Sequence, residues 1–184
     1  MSDKYKIFEG DEAYFVTFTI IDWLKVLEAD SFKMILIDSI KYCQLNKGLQ
    51  IYAYCIMPNH IHMIIQSMGG ESVSGILRDM KTHTSKAIST KLEEEKPKGY
   101  EEVLAKFVAA GKALKRTKKY KVWQDGNQAK LLYGNRFIIE KLNYIHNNPV
   151  ENGLCKVPWE YKFSSATNYA DKPSLINVIL LSLW

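Results

Sequence analysis

Leu49–Gln66, LQIYAYCIMPNHIHMIIQ, decides the fold of this chain. The stretch is dense in β-branched, aromatic and other apolar residues, and Pro58-Asn59 breaks it near its centre. Such residues favour extended backbone, and a two-residue Pro-Asn break between two such runs predicts an antiparallel hairpin. One strand covers Leu49–Met57 and the next covers His60–Gln66. Successive side chains of a strand point to opposite faces, so His60 and His62 share one face and Ile61 takes the other. Two imidazoles side by side on a sheet form half of a metal site.

Upstream, Tyr14–Ile20 (YFVTFTI) has the composition of a further strand. Between it and the hairpin, Phe32, Ile35, Leu36, Ile40 and Cys43 recur at helical spacing. Asp30-Ser31 supply N-caps, and Lys47-Gly48 supply a stop. After the break at Gly69-Gly70, Ser72 or Ser74 caps a second helix with Val73, Ile76, Leu77, Met80, Thr84, Ala87 and Ile88 along one side. Val122-Trp123-Gln124 reads as a short edge strand. A third helix, capped by Asn135, carries Phe137, Ile138, Lys141, Leu142, Tyr144 and Ile145, and Pro149 is expected to end it close by. The apolar tail Leu175–Trp184 matches no single element. The order β-α-β-β-α-β predicts an α+β fold of the split, ferredoxin-like kind, with a central antiparallel sheet and helices on one face. The other face is then free to carry a site. Residues 1–184 read as a single domain, with a charged insertion at about 93–120 that holds a short helix over Val103–Leu114.

Composition sets bounds on function. The 184 residues are 47% hydrophobic and 24% charged, an ordinary balance for one globular domain, and the net charge is +5. A mildly basic chain is compatible with a nucleic-acid partner. Lys112, Lys115, Arg116, Lys118, Lys119 and Lys121 crowd one stretch, just after Glu93-Glu94-Glu95 and Glu101-Glu102. They are candidates for contact with a phosphodiester backbone, with Tyr120 and Trp123 available for base stacking. A solvated charged surface is the plain alternative. No run of about 18 apolar residues offers a membrane span. Met1-Ser2-Asp3-Lys4 lacks the apolar stretch of a secretory signal. Cys43, Cys55 and Cys155 form no C-x-x-C pair, so reduced thiols and a cytoplasmic protein are expected.

Two imidazoles need a third ligand before they hold a cation. The third helix offers Tyr144-Ile145-His146-Asn147-Asn148-Pro149, in which Tyr144 and Asn148 lie four apart and share a helical face. Asn148 brings a carbonyl oxygen and Tyr144 a phenol, although a core-facing tyrosine with its hydroxyl at the surface is a common arrangement. His83 reads as a helix-surface residue. His146 is adjacent to the site but off the Tyr144 face.

Tyr54–Ile65 (YCIMPNHIHMII) is similar to the histidine–hydrophobic–histidine segment of the single-tyrosine HUH transposases, the IS200-like family. Tyr144–Leu154 (YIHNNPVENGL) resembles the tyrosine segment of one branch, the REP-associated tyrosine transposases. Val122-Trp123-Gln124 and Tyr161–Ser165 (YKFSS) match that branch too. The resemblance implies a DNA strand transferase that nicks single-stranded DNA near a hairpin through a 5′-phosphotyrosine intermediate and rejoins it. It implies that His60, His62 and Asn148 hold a divalent metal, Mg²⁺ or Mn²⁺, and that Tyr144 is the nucleophile. The chemistry is coherent. A metal offsets the negative charge by which a phosphodiester repels nucleophiles, and a phenol, which ionises only near about pH 10, needs such help to attack. The implied partner is hairpin-bearing single-stranded DNA, with monomer and homodimer both open. Glu151-Asn152-Gly153 departs from the basic residue and alanine that relatives often carry before that glycine. Two other readings compete: a non-cleaving protein that binds nucleic-acid hairpins, and a zinc hydrolase, which needs a third histidine or a carboxylate beside the pair.

Overall fold

A computed structural model of the chain describes residues 12–112 and 119–181. The hairpin forms as expected. β2 (Leu49–Ile56) and β3 (His60–Ser67) pair antiparallel, with Cys55 opposite His62 and an irregularity between Ile51 and Ala53. Met57 N donates to His60 O at 2.8 Å and closes the turn. β1 (Tyr14–Thr19) pairs antiparallel with the other edge of β3, so that Thr17 faces His62 and Thr19 faces His60 across the ladder. β4 (Lys130–Leu131) pairs with Tyr14 and Phe15. The sheet order is β2-β3-β1-β4 and every pairing is antiparallel, which is the ferredoxin-like arrangement.

The edge strand expected at Val122–Gln124 is reduced to one isolated bridge between Trp123 and Ile20, and the last strand of the sheet is Lys130–Leu131 instead. Single bonds run along the edge of β1, Gln124 N to Thr19 O and Thr17 N to Asn127 O, both 2.8 Å. Gly126 (φ 74°) and Gln128 (φ 44°) are left-handed, and a chain that turns that way cannot keep a regular ladder.

α1 (Asp30–Asn46) and α2 (Val73–Glu95) pack on one face of the sheet. Ser72 is the N-cap of α2 and accepts a hydrogen bond from Gly75 N at 3.1 Å. Asp30 does not cap α1. It lies in the first turn, and its carboxylate bonds Lys33 and Lys162. Gly48, past the end of α1, has φ of 67°, and a Cβ there would come within 2.6 Å of the Gly69 backbone, so only glycine fits. α2 runs on through Glu95, so the acidic triplet belongs to its last turn. α3 (Tyr100–Lys112) follows and buries Phe107 in the main core.

α4 (Asn135–Glu151) lies across the opposite face. The expectation of helices on one face holds for α1 and α2, and α4 is the exception. The reason is the alternation of the strands. Tyr14, Val16 and Phe18 join Ile61, Met63 and Ile65 beneath α1 and α2, whereas Phe15, Cys55 and Ile64 form a smaller apolar patch on the other side. Leu142 and Ile145 of α4 cover that patch. Removing each such side chain from water stabilises the contact by about 1.5–3 kcal/mol. Pro149 does not stop α4 but sits in its final turn. Backbone N–H groups of Asn152, Gly153 and Leu154 satisfy the carbonyls of Asn148, Val150 and Pro149, so the turn survives the missing donor.

The chain then folds back along the outer edge of β2. Ile56 N donates to Phe163 O and Ser165 N to Tyr54 O, and further on Ile179 N donates to Ile51 O, each at 2.9 Å. A short helix, α5 (Ala166–Tyr169), follows this segment, and the tail up to Leu181 takes no regular form. Cys43 and Cys55 are buried thiols, and burial raises Cys43 to about 11, leaving it unreactive. Among the described residues, no helix is long and apolar enough to cross a membrane.

Candidate active site

His60 opens β3 and His62 follows two residues later, with ring centroids 4.6 Å apart. Each ring is held through Nδ1. Asn59 Oδ1 lies 2.6 Å from His60 Nδ1, and the same amide donates through Nδ2 to Trp23 O at 3.3 Å. An amide oxygen only accepts, so His60 Nδ1 carries the hydrogen and Nε2 keeps its lone pair. Thr17 Oγ1 lies 2.8 Å from His62 Nδ1, and Phe15 stacks on the His62 ring at 5.5 Å. His62 Nε2 faces the Tyr144 hydroxyl at 3.4 Å. A phenol donating to Nε2 leaves the ring's one N–H hydrogen on Nδ1, where Thr17 accepts it. Burial, aided by the nearby His60, lowers His62 to about 3. Burial also lowers His60, against an opposing contribution from the Asn148 side chain. Both imidazoles are therefore neutral at physiological pH, the form that ligates metals.

α4 delivers the other half. Tyr144 and Asn148 stand one turn apart on the face toward β3, Tyr144 41% exposed and Asn148 6% exposed. The Tyr144 ring lies 5.0 Å from His62, edge to face. Among the described residues, buried Asn148 Oδ1 has no hydrogen-bond partner, and neither has Thr19 Oγ1, opposite His60. A buried oxygen left unpaired costs about 1–3 kcal/mol. An orphaned amide oxygen beside two imidazole lone pairs is a donor set that fits a divalent cation, and three neutral ligands leave positions open for phosphate oxygens. Among the described residues no three His, Cys, Asp or Glu side chains converge, so the zinc-hydrolase reading finds no third ligand of its kind.

Lys141 belongs to this site and was not singled out from the sequence. Its Nζ lies 6.0 Å from the Tyr144 ring and 5.8 Å from that of Phe15, and it pairs with Glu140. A cation three residues before a candidate nucleophile, hence one turn away, was the available signal.

Only part of the basic stretch is described. Lys115, Arg116 and Lys118 are outside the described residues. Lys112 is exposed at the end of α3, Lys119 pairs with Glu93 at 3.1 Å, and Lys121 pairs with Asp125 at 2.7 Å. Trp123, expected to stack on bases, is only 4% exposed. Its indole donates to Thr84, and its ring packs on Phe18, on the side of the sheet away from the histidines. A ring enclosed in the core offers no face to a base, so Trp123 is corrected to a core residue.

His83 is exposed on α2. His146 turns away from the site and hydrogen-bonds Ser165 Oγ at 2.9 Å, bracing the returning segment. Burial lowers His146 to about 4, and the unfolded chain titrates near 6.5. Between those limits the unfolded chain binds a proton that the fold excludes, so stability falls as pH drops from 6.5 toward 4. His62 acts in the same direction. Urea midpoints measured at about pH 7.5, 6 and 5 should decline in that order, and His146→Gln should flatten the slope.

Residues 13–120 match the family model described as "Transposase IS200 like". That is more than half of the chain, and the chain belongs to this family. The histidine pair lies inside the matched residues, while Tyr144 and Asn148 lie beyond them. Among solved structures, a REP-associated tyrosine transposase bound to a REP hairpin covers 100% of this chain and 96% of its own, with a TM-score of 0.66 at 17% identity. The two share a fold. A putative transposase from Deinococcus radiodurans, 18% identical, covers 54% of this chain and 75% of its own with a TM-score of 0.39. No curated protein matches.

Proposed function

We propose that this chain is a metal-dependent transposase that nicks single-stranded DNA beside a hairpin and rejoins it through a 5′-phosphotyrosine link at Tyr144. The observation that carries the reading is the 3.4 Å approach of the Tyr144 hydroxyl to His62, with Asn148 on the same helical face. His60, His62 and Asn148 would hold the cation, Mg²⁺ or Mn²⁺. When bound, it supplies Lewis-acid neutralisation of a non-bridging phosphate oxygen.

The chain's own groups do the rest. Asn59 and Thr17 hold the two imidazoles through Nδ1, so each ring already turns Nε2 toward the site. The Tyr144 oxygen bonds to phosphorus, and its proton passes to the water that reaches this half-exposed ring. The P–O3′ bond breaks, and the departing oxygen takes up a proton as a 3′-hydroxyl. Attack by a 3′-hydroxyl on the phosphotyrosine reverses the step, so strands are joined without ATP. Lys141 contributes positive charge one turn from the phenol. Because Tyr144 reaches the histidines of its own chain, one copy carries the whole set, and a homodimer is not needed for chemistry. A cytoplasmic setting, where such DNA is found, follows from this reading.

Incubating the protein with labelled, hairpin-bearing single strands and Mn²⁺ should yield a covalent protein–DNA product that resists denaturing electrophoresis. Absence of that product across a panel of hairpins, with DNA binding retained, would leave only the non-cleaving binder.

A further inference from the structure

Trp23 is 56% exposed, a large apolar ring left in water beside the histidines. Its ring meets that of His60 at 5.9 Å and 73°, so the indole is not stacked on the imidazole. The backbone is unusual here. Asp22 (φ 51°) and Trp23 (φ 56°) are consecutive left-handed residues, neither of them glycine. Each costs roughly 1–2 kcal/mol, which the surroundings must offset. The turn is tied to the hairpin that presents His60: Ile20 N donates to Asn59 O at 2.9 Å and Leu27 N to Pro58 O at 2.8 Å. Asn59 completes the tie, since one amide grips Trp23 O through Nδ2 and His60 Nδ1 through Oδ1. The fold thus holds an aromatic ring out of the core at a fixed distance from a candidate ligand.

Trp23 meets the His60 ring, His60 meets His62, and His62 meets Tyr144, so Trp23 stands by the His60 side of the pair and Tyr144 by the His62 side. Displacement at phosphorus requires the attacking and leaving oxygens to lie in line, on opposite sides. With a phosphate over the histidine pair and Tyr144 attacking from the His62 side, the leaving 3′-oxygen departs on the His60 side, where Trp23 stands. From this geometry we propose that Trp23 is the stacking platform for the base immediately 5′ of the cleaved bond. It holds the fragment that carries the new 3′-hydroxyl in place for rejoining. This inference rests on the strand-transfer reading and adds to it a subsite for the unlinked fragment.

The test is binding, read separately from cleavage. In a Tyr144→Phe background, fluorescence anisotropy is measured for labelled hairpin strands with an abasic site moved through the single-stranded segment. Trp23→Ala should weaken binding of the intact strand about tenfold, within the range for one lost base stack, and Trp23→Phe should recover most of it. One abasic position should abolish the difference in affinity between the Trp23→Ala variant and its parent, and cleavage by the unaltered chain should map the cut directly 3′ of that position. The inference is overturned if Trp23→Ala weakens every strand equally, if it weakens none, or if the sensitive position falls 3′ of the cut. A chain that shows the expected binding pattern but forms no covalent product refutes the strand-transfer reading and leaves a stacking site on a DNA binder.

Discussion

Tyr144→Phe should remove the covalent protein–DNA product altogether and lower nicking on the order of 10³-fold or more, as loss of a sole nucleophile does. The substitution deletes one oxygen from a half-exposed ring. Among the described residues its hydroxyl makes a single long contact, to His62, while the ring keeps its edge-on approaches to His62 and Phe15. Stability should therefore change by no more than about 0.5 kcal/mol, and affinity for hairpin DNA should be unchanged. Gel shift and denaturing electrophoresis on the same samples separate the two properties. A covalent band that survives in the phenylalanine variant would assign the nucleophile to another residue.

The second large effect belongs to the histidine pair. His60→Ala with His62→Ala should abolish nicking, and a chelator should do the same to the unaltered chain. Activity alone does not distinguish a lost ligand from a damaged fold, because His62 is buried and its loss leaves Thr17 without its partner. That penalty is about 1–3 kcal/mol. A thermal-shift titration with Mn²⁺ resolves the matter. A ligand that binds only the folded state raises the melting temperature with concentration. The unaltered chain and the Tyr144→Phe variant should both show that rise, and the double alanine variant should not. Nicking that persists at full rate in the chelator would refute a metal mechanism.

Much of the fold was legible because its signals are local. Alternation in Leu49–Gln66 and the break at Pro58-Asn59 require only neighbouring residues to be read, and the same holds for the helical stripe that begins at Phe32. Features decided by tertiary partners were not legible. A strand of two residues, Lys130–Leu131, has no periodicity to detect. The side taken by α4 depends on which apolar patch remains for Leu142 and Ile145 once α1 and α2 are in place. Trp123 has the same chemistry as a base-stacking residue and as a core residue, and its neighbours Thr84 and Phe18 made it the latter. The cations of Lys119 and Lys121 could be counted, but not that Glu93 and Asp125 would partner them. Within the candidate site, period two aligned the histidines and the four-residue step aligned Tyr144 with Asn148. Nothing local said that the two pairs would meet, and that expectation came from resemblance to a family.

The way the chain returns along β2 bears on how the protein behaves when crowded. An open sheet invites a stranger to extend it at its margin. Here part of that margin is taken by the molecule's own later segment, through the bonds that Phe163, Ser165 and Ile179 make to β2. Neighbouring copies at high concentration meet a rim already partly zipped, which leaves them less able to join strand to strand.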